Sequence, residues 1–317
     1  MKINSRKSFI CAIKSTKLSI KEHLFIKKHR PWGIILFQRN IKNIDQAKIL
    51  TSSIRKLFDD PYYPILIDEE GGRVSRLKKI VDNSIFSGKF FGDLYKKNIK
   101  KFNLYYKIYV DQISYVLNLI GANINTVPIL DLRRNSSHNI IGDRAYSNNK
   151  KIISKIGNIS INLFHQNRIG TVIKHVPGHG LAKQDSHLNL PYINKKLRFL
   201  EKNDFYIFKN KKSIFAMTAH IVFKPIDKNN CITHSKIGIK YIRNNIGFRN
   251  LIISDDISMK ALQYSFNENV KKAYKAGCNL VLHCNGNLIE MNKLAAIAPK
   301  IDRFIIKKTS EFYKLLS

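Results

Sequence analysis

Gly170-Thr171-Val172-Ile173-Lys174-His175-Val176-Pro177-Gly178-His179-Gly180, running on to Asp185-Ser186-His187, reads as a buried strand that ends in exposed chemistry. Residues 170–173 are apolar, a Lys-His pair follows, and Pro177 stops the strand while Gly178 and Gly180 open backbone angles closed to other residues. Packing does not explain a lysine, an aspartate and several histidines in so short a span, because Lys and Asp are almost never buried without a partner. The polar groups therefore belong at the C-terminal end of a strand.

Working outward, the same pattern repeats. Apolar runs at 8–13, 33–37, 64–68, 122–129, 170–175, 215–220, 251–255 and 280–284 read as eight strands. Between them lie stretches with apolar residues three and four apart, at 44–57, 101–119, 151–164, 200–210 and 258–276, and the tail from Asn287 reads as the last helix. Strands apolar on both faces, alternating with helices, indicate a parallel sheet, and eight such units close into a single-domain (β/α)8 barrel spanning residues 1–317. A doubly wound open sheet is the alternative. Asp68-Glu69-Glu70, Asp131, Lys174-His175, His220, Asp255-Asp256 and His283 each fall at or just past the end of a different strand. A barrel gathers such ends into one mouth, whereas an open sheet strings them along an edge. The long connection from 71 to 96 is expected to contribute to that mouth.

Composition narrows the function. Hydrophobic content of 44% supports a sizeable core, and no long polar low-complexity stretch is present. The formal charge of +34 invites a nucleic-acid or anionic-membrane reading, yet lysines far outnumber arginines and are spread along the chain. Arginine clusters, base-stacking aromatic motifs and zinc spacings are missing, so the lysines read as solvated face residues and no specific nucleic acid is expected. Cys11, Cys231, Cys278 and Cys284 form no CxxC pair and read as reduced thiols. With no signal-peptide core and no membrane-length apolar window, a cytoplasmic protein without membrane contact, most simply a monomer, is expected.

The stretches Asp68-Glu69-Glu70-Gly71-Gly72-Arg73-Val74-Ser75-Arg76, Ile141-Gly142-Asp143-Arg144, Lys174-His175-Val176-Pro177-Gly178-His179-Gly180, Asp185-Ser186-His187, Ala219-His220 and Ser254-Asp255-Asp256-Ile257-Ser258-Met259 follow one another in a familiar order. Together they resemble the family 3 glycoside hydrolases, in particular the single-domain bacterial β-N-acetylglucosaminidases that recycle cell-wall fragments. Two departures stand beside the matches: Lys14-Ser15-Thr16 lacks the glycine expected after the first strand, and Ala145-Tyr146 replaces a small hydroxyl plus Phe.

The residues support the resemblance on their own terms. Side chains alternate along a strand, so Asp255 and Asp256 cannot both face the mouth. One is free to attack an anomeric carbon, and the other to cap the helix expected from Ser258. The resemblance implies Asp255 as nucleophile and Asp256 as support. Asp185 and His187 are two apart: a carboxylate on one imidazole nitrogen fixes the tautomer and raises the basicity of a proton-shuttling ring. The resemblance implies His187 as acid/base, Asp185 as its partner, and Asp68, Arg76, Arg144, Lys174 and His175 as ligands of a terminal N-acetylglucosamine. Blander roles compete, since Arg73 or Arg76 could pair with Glu69 or Glu70 and Arg144 could brace the loop after Asp131. His179 and His220 are expected to shape loops, and His283 to be a satisfied core histidine. The implied substrate is a peptidoglycan-derived saccharide, with no cofactor and no metal. The competing readings are a metal-dependent barrel hydrolase, which lacks its His-x-His strand, and a basic nucleic-acid-binding protein.

Overall fold

The computed structural model describes residues 3–134, 141–182 and 189–317. Eight parallel strands close into a barrel in chain order: β1 (Lys7–Ala12), β2 (Pro31–Leu36), β3 (Ile65–Ile67), β4 (Ile124–Asn125), β5 (Gly170–Val176), β6 (Phe215–Thr218), β7 (Leu251–Asp256) and β8 (Leu280–His283). The ring is sealed where Phe9, Ile10 and Cys11 of β1 pair in register with Val281, Leu282 and His283 of β8. A short parallel pair, Tyr192–Ile193 with Val222–Phe223, lies outside the barrel.

Period-two alternation divides each strand between two core layers. Ile10 and Ala12 point into the barrel with Ile35, Leu66, Val172 and Ile253, while Phe9, Cys11, Ile34 and Ile65 face the helical layer. Burial on both faces is why the strands read as continuous apolar runs. The helical layer comprises α1 (Ile20–His29), α2 (Ile44–Phe58), α3 (Gly88–Lys97), α4 (Ile99–Ile120), α5 (Lys150–Gln166), α6 (Leu197–Lys202), α7 (Lys236–Tyr241), α8 (Phe266–Ala276), α9 (Leu288–Ile297) and α10 (Arg303–Leu316). Asn43, Asn98, Asn149 and Asn287 cap the free N–H groups at the starts of α2, α4, α5 and α9, and Gly121 and Gly277 end α4 and α8 in left-handed conformation.

Three expectations are corrected. The helix expected over 200–210 is a short α6 followed by a single turn of tighter helix, Phe205–Phe208. The helix expected from Ser258 begins only at Phe266, because Ser265 and Glu268 form a capping box there and 257–264 form turns and irregular backbone instead. The tail is two helices rather than one, and α10 closes the bottom of the barrel. Phe312 packs edge-on against Phe215, which packs edge-on against Trp32, at centroid separations of 5.4 and 5.5 Å. Trp32 Nε1 donates to Thr309 Oγ1 at 2.9 Å. Gly170 is required here, since a β-carbon would stand 2.7 Å from the Phe312 ring. Beside this plug, buried Arg6 pairs with Asp60, donates to Tyr313 Oη and lies over the Tyr63 ring.

Candidate active site

The opposite end of the barrel carries the polar side chains. Just past β3, extended backbone sends Asp68 and Glu70 to one side and Glu69 to the other. Glu69 accepts from the backbone N–H groups of Arg76 (2.7 Å) and Leu77 (3.0 Å) and from Ser75 Oγ (3.1 Å), so it fastens the loop that follows β3. Burial pushes its carboxyl pKa up despite those bonds. Gly71 and Gly72 start this loop at φ +82° and +60°, and a β-carbon at Gly71 would lie 2.2 Å from the Phe86 carbonyl oxygen. The loop thus returns Arg76 to the mouth, where it meets Asp68 at 3.3 Å.

Lys174, at the end of β5, is buried among three acceptors: Asp68 Oδ1 at 3.0 Å, Glu70 Oε1 at 2.8 Å and Thr126 Oγ1 at 2.9 Å. Arg144 forks onto Glu70 through Nε and Nη2, both at 2.8 Å. Two carboxylates therefore hold three cations in fixed positions. Burial alone would raise both acids, but Lys174 and Arg76 hold Asp68 well below the usual carboxylate range, and Arg144 and Lys174 hold Glu70 at about 2. Burial opposes the charge on Lys174 and Arg144 as well, yet the same carboxylates raise both pKa values.

The segment after β4 runs beside the end of β5, with Leu130 N donating to the Lys174 carbonyl at 2.8 Å, and so delivers Asp131 beneath the histidines. Asp131 Oδ2 lies 2.7 Å from His175 Nδ1, and Oδ1 accepts the backbone N–H of His179 at 2.7 Å. Burial disfavours the Asp131 anion, but His175 beside it lowers the pKa. His179 is buried and its pKa is lowered to about 4, by burial and by His175. His179 is among the residues that line the pocket.

On β7, Asp255 faces the pocket beside Met217, Leu282 and Cys284. Asp256 turns away, accepting from Ser258 N at 3.1 Å, Ser258 Oγ at 2.8 Å and Cys284 N at 3.1 Å. It caps the turn that replaces the expected helix, and burial raises its carboxyl pKa. His220 sits 3.0 Å from the Asp256 carbonyl oxygen through Nε2 and 2.7 Å from Thr233 Oγ1 through Nδ1. A carbonyl only accepts and burial lowers the pKa of this ring, so His220 is neutral with its proton on Nε2. It props the strand end that bears Asp255. His283 is buried with Nε2 2.8 Å from Glu290 Oε2, but among the described residues no hydrogen bond reaches its Nδ1, so it is only half satisfied.

Asp68, Arg76, Arg144, Lys174, His175 and Asp255, drawn from sequence positions far apart, all line one cavity of 140 Å³. Asp185 and His187 lie outside the described residues. Arg73 pairs with Asp143 in solvent, at 2.9 Å. Sequence reasoning placed Glu70 and Asp131 at the mouth but did not identify Glu70 as the common partner of Arg144 and Lys174 or Asp131 as the partner of His175, and it did not single out Thr126. Alternation along Asp68-Glu69-Glu70 could have found Glu70, whereas nothing local marks Thr126. Among the described residues no group of three His, Cys, Asp or Glu side chains converges as a metal site would.

A closed (β/α)8 barrel whose mouth sets carboxylates among fixed cations and imidazoles has the architecture of a barrel enzyme. The model of the glycosyl hydrolase family 3 N terminal domain matches residues 9–308, so the chain belongs to that family and is a glycoside hydrolase. The β-hexosaminidase of Nitrosomonas eutropha is 31% identical over 262 residues, covering 80% of this chain and 73% of that protein. The β-hexosaminidase of Tolumonas auensis is 28% identical over 297 residues, covering 90% of this chain and 83% of its own. Among solved structures, NagZ from Neisseria gonorrhoeae in complex with N-trifluoroacetyl-D-glucosamine superimposes with a TM-score of 0.83 at 26% identity, over 99% of this chain and 90% of that one.

Proposed function

We propose that the protein is an exo-acting β-N-acetylglucosaminidase that releases N-acetylglucosamine from the non-reducing end of cell-wall fragments, such as N-acetylglucosaminyl-1,6-anhydro-N-acetylmuramic acid, in the cytoplasm. Asp68, Arg76, Arg144, Lys174 and His175 bind the terminal sugar, the acids accepting hydroxyl protons and the cations donating to ring substituents. The Asp255 carboxylate attacks the anomeric carbon as the bond to the aglycone oxygen breaks, and His187, oriented by Asp185, protonates that oxygen. Water then gives its proton to His187 and displaces Asp255, so the product keeps the anomeric configuration of the substrate.

The observation that carries this reading is the convergence of the five binding side chains and Asp255 on one cavity. The names of the relatives and the ligand of the Neisseria gonorrhoeae structure point the same way, and four unpaired cysteines suit a reducing compartment. The test is hydrolysis of a chromogenic β-N-acetylglucosaminide and the matching β-glucoside, with and without EDTA. The N-acetyl substrate should be preferred, EDTA should have no effect, and Asp255→Ala should lower kcat by about 10⁴-fold or more, as removal of a principal catalytic group does. Preference for the glucoside overturns the substrate assignment, loss of activity on chelation favours metal-dependent hydrolysis, and an active Asp255→Ala enzyme overturns the mechanism.

A further inference from the structure

A second cleft, of 680 Å³, opens on the same end of the barrel between the segment that follows β1 and the segment that follows β8. Lys14, Lys17 and Glu22 line one wall, and Asn285, Leu288 and Ile289 the other. Its base is tight: Gly286, at φ +72°, would place a β-carbon 3.2 Å from the Ile13 carbonyl carbon. The cleft adjoins the active-site cavity. Cys284 lines the cavity and Asn285, the next residue, lines the cleft, one Cα step or about 3.8 Å along the chain. Arg39 ties the segment after β1 to the segment after β8, donating to the Cys284 carbonyl at 2.6 Å and the Ile13 carbonyl at 3.1 Å. Its guanidinium and that of Arg76 both lie over the Phe37 ring, at 4.6 and 5.2 Å.

The charges of the cleft are unequal in availability. Glu22 is buried, its carboxylate accepting from Lys14 N at 2.8 Å, Ser19 N at 2.9 Å and Ser19 Oγ at 2.7 Å. Lys14 and Lys17 are exposed, and neither they nor Arg39 enters an ion pair formed among the described residues. The wall opposite offers the Leu288 side chain and Ile289, which is 69% exposed. The cleft thus combines a cationic rim with an apolar side, beside the cavity that holds the scissile bond.

We infer that this cleft receives the aglycone of the substrate and that Lys14 and Lys17 select one bearing a carboxylate. The inference rests on the proposed glycosidase activity and names the half of the substrate that the sugar-binding residues leave unspecified. Screened, exposed lysines contribute modestly each, so their effect is a preference rather than a requirement.

The experiment compares kcat/KM on N-acetylglucosaminyl-1,6-anhydro-N-acetylmuramic acid and on its methyl ester, which lacks the charge, for the natural enzyme and for a Lys14→Gln/Lys17→Gln variant that keeps the side-chain length. The natural enzyme should prefer the acid by about fivefold to tenfold, and the variant or 1 M salt should reduce that ratio to near one. An acid-to-ester ratio near one in the natural enzyme, or a preference that survives the double substitution, overturns the inference while the glycosidase reading stands. An equal fall on both substrates in the variant overturns it too, because the lysines would then support the fold and not the charge. Failure to cleave either compound while the chromogenic N-acetylglucosaminide is hydrolysed defeats the proposed cell-wall substrate and the inference with it.

Discussion

Asp131 Oδ2 stands 2.7 Å from His175 Nδ1 while its other oxygen accepts the His179 backbone N–H. An ionised Asp131 can only accept, so the Nδ1 proton is fixed and His175 turns Nε2 toward the pocket. Asp131→Asn replaces that acceptor with an amide able to present either end. Steady-state kinetics on a β-N-acetylglucosaminide should then show kcat/KM reduced about 10- to 100-fold, the equivalent of a charge-assisted hydrogen bond. Unchanged kinetics would remove Asp131 from any positioning role.

Glu70 is the common counter-charge of Arg144 and Lys174; the Glu70 and Lys174 side chains are nearly inaccessible and that of Arg144 is mostly covered. Glu70→Gln removes the counter-charge that both cations share and should cost on the order of 3–5 kcal/mol in urea unfolding. The exposed Arg73–Asp143 pair is a built-in control, because Arg73→Ala should change stability by less than about 1 kcal/mol. Equal effects of the two substitutions would contradict the described burial.

Acid should unfold the protein in two overlapping stages. His179 titrates at about 4 in the fold against 6.5 when free, so the unfolded chain binds more protons between these values and stability falls as pH drops through that window. Glu70, at about 2 against 4.5, adds a second loss as pH drops from 4.5 toward 2. Above pH 6.5 neither group contributes a slope. Urea midpoints measured from pH 7.5 to 4 should therefore be flat at first and then decline, and the decline above pH 5 should be shallower in His179→Gln. A profile flat to pH 4 would be inconsistent with a buried neutral His179.

At the far end of the barrel, Phe312→Ala should cost about 3–5 kcal/mol by leaving a cavity under Phe215 and Gly170. KM should not change, because α10 and the mouth lie at opposite ends of the strands. A stability change below about 1 kcal/mol would show that α10 does not plug the barrel.

Legibility in the sequence followed the range of the interactions. The eight strands were readable because burial on both faces writes continuous apolar runs. Asp68, Lys174 and Asp255 were readable because a charged side chain closing a buried apolar strand carries a desolvation cost that packing does not offset. The role of α10 was not. Ile305, Thr309, Phe312, Tyr313 and Leu316 form the buried stripe of any amphipathic helix, and nothing local distinguishes packing beside a barrel from packing beneath it. Arg6 was hidden in the same way, since a basic segment next to the first strand reads as solvated and its partners Asp60 and Tyr313 are distant in the chain. Asp185 and His187 stand on motif alone.

The plug has a bearing on the order of assembly. The aromatic stack of Trp32 and Phe215 gains its third ring from residue 312, more than two dozen positions after the last strand has been laid down. During synthesis the ring of strands can be complete in number while its floor is still open to water, so a nascent chain stalled before α10 should remain sensitive to proteases that the finished molecule resists.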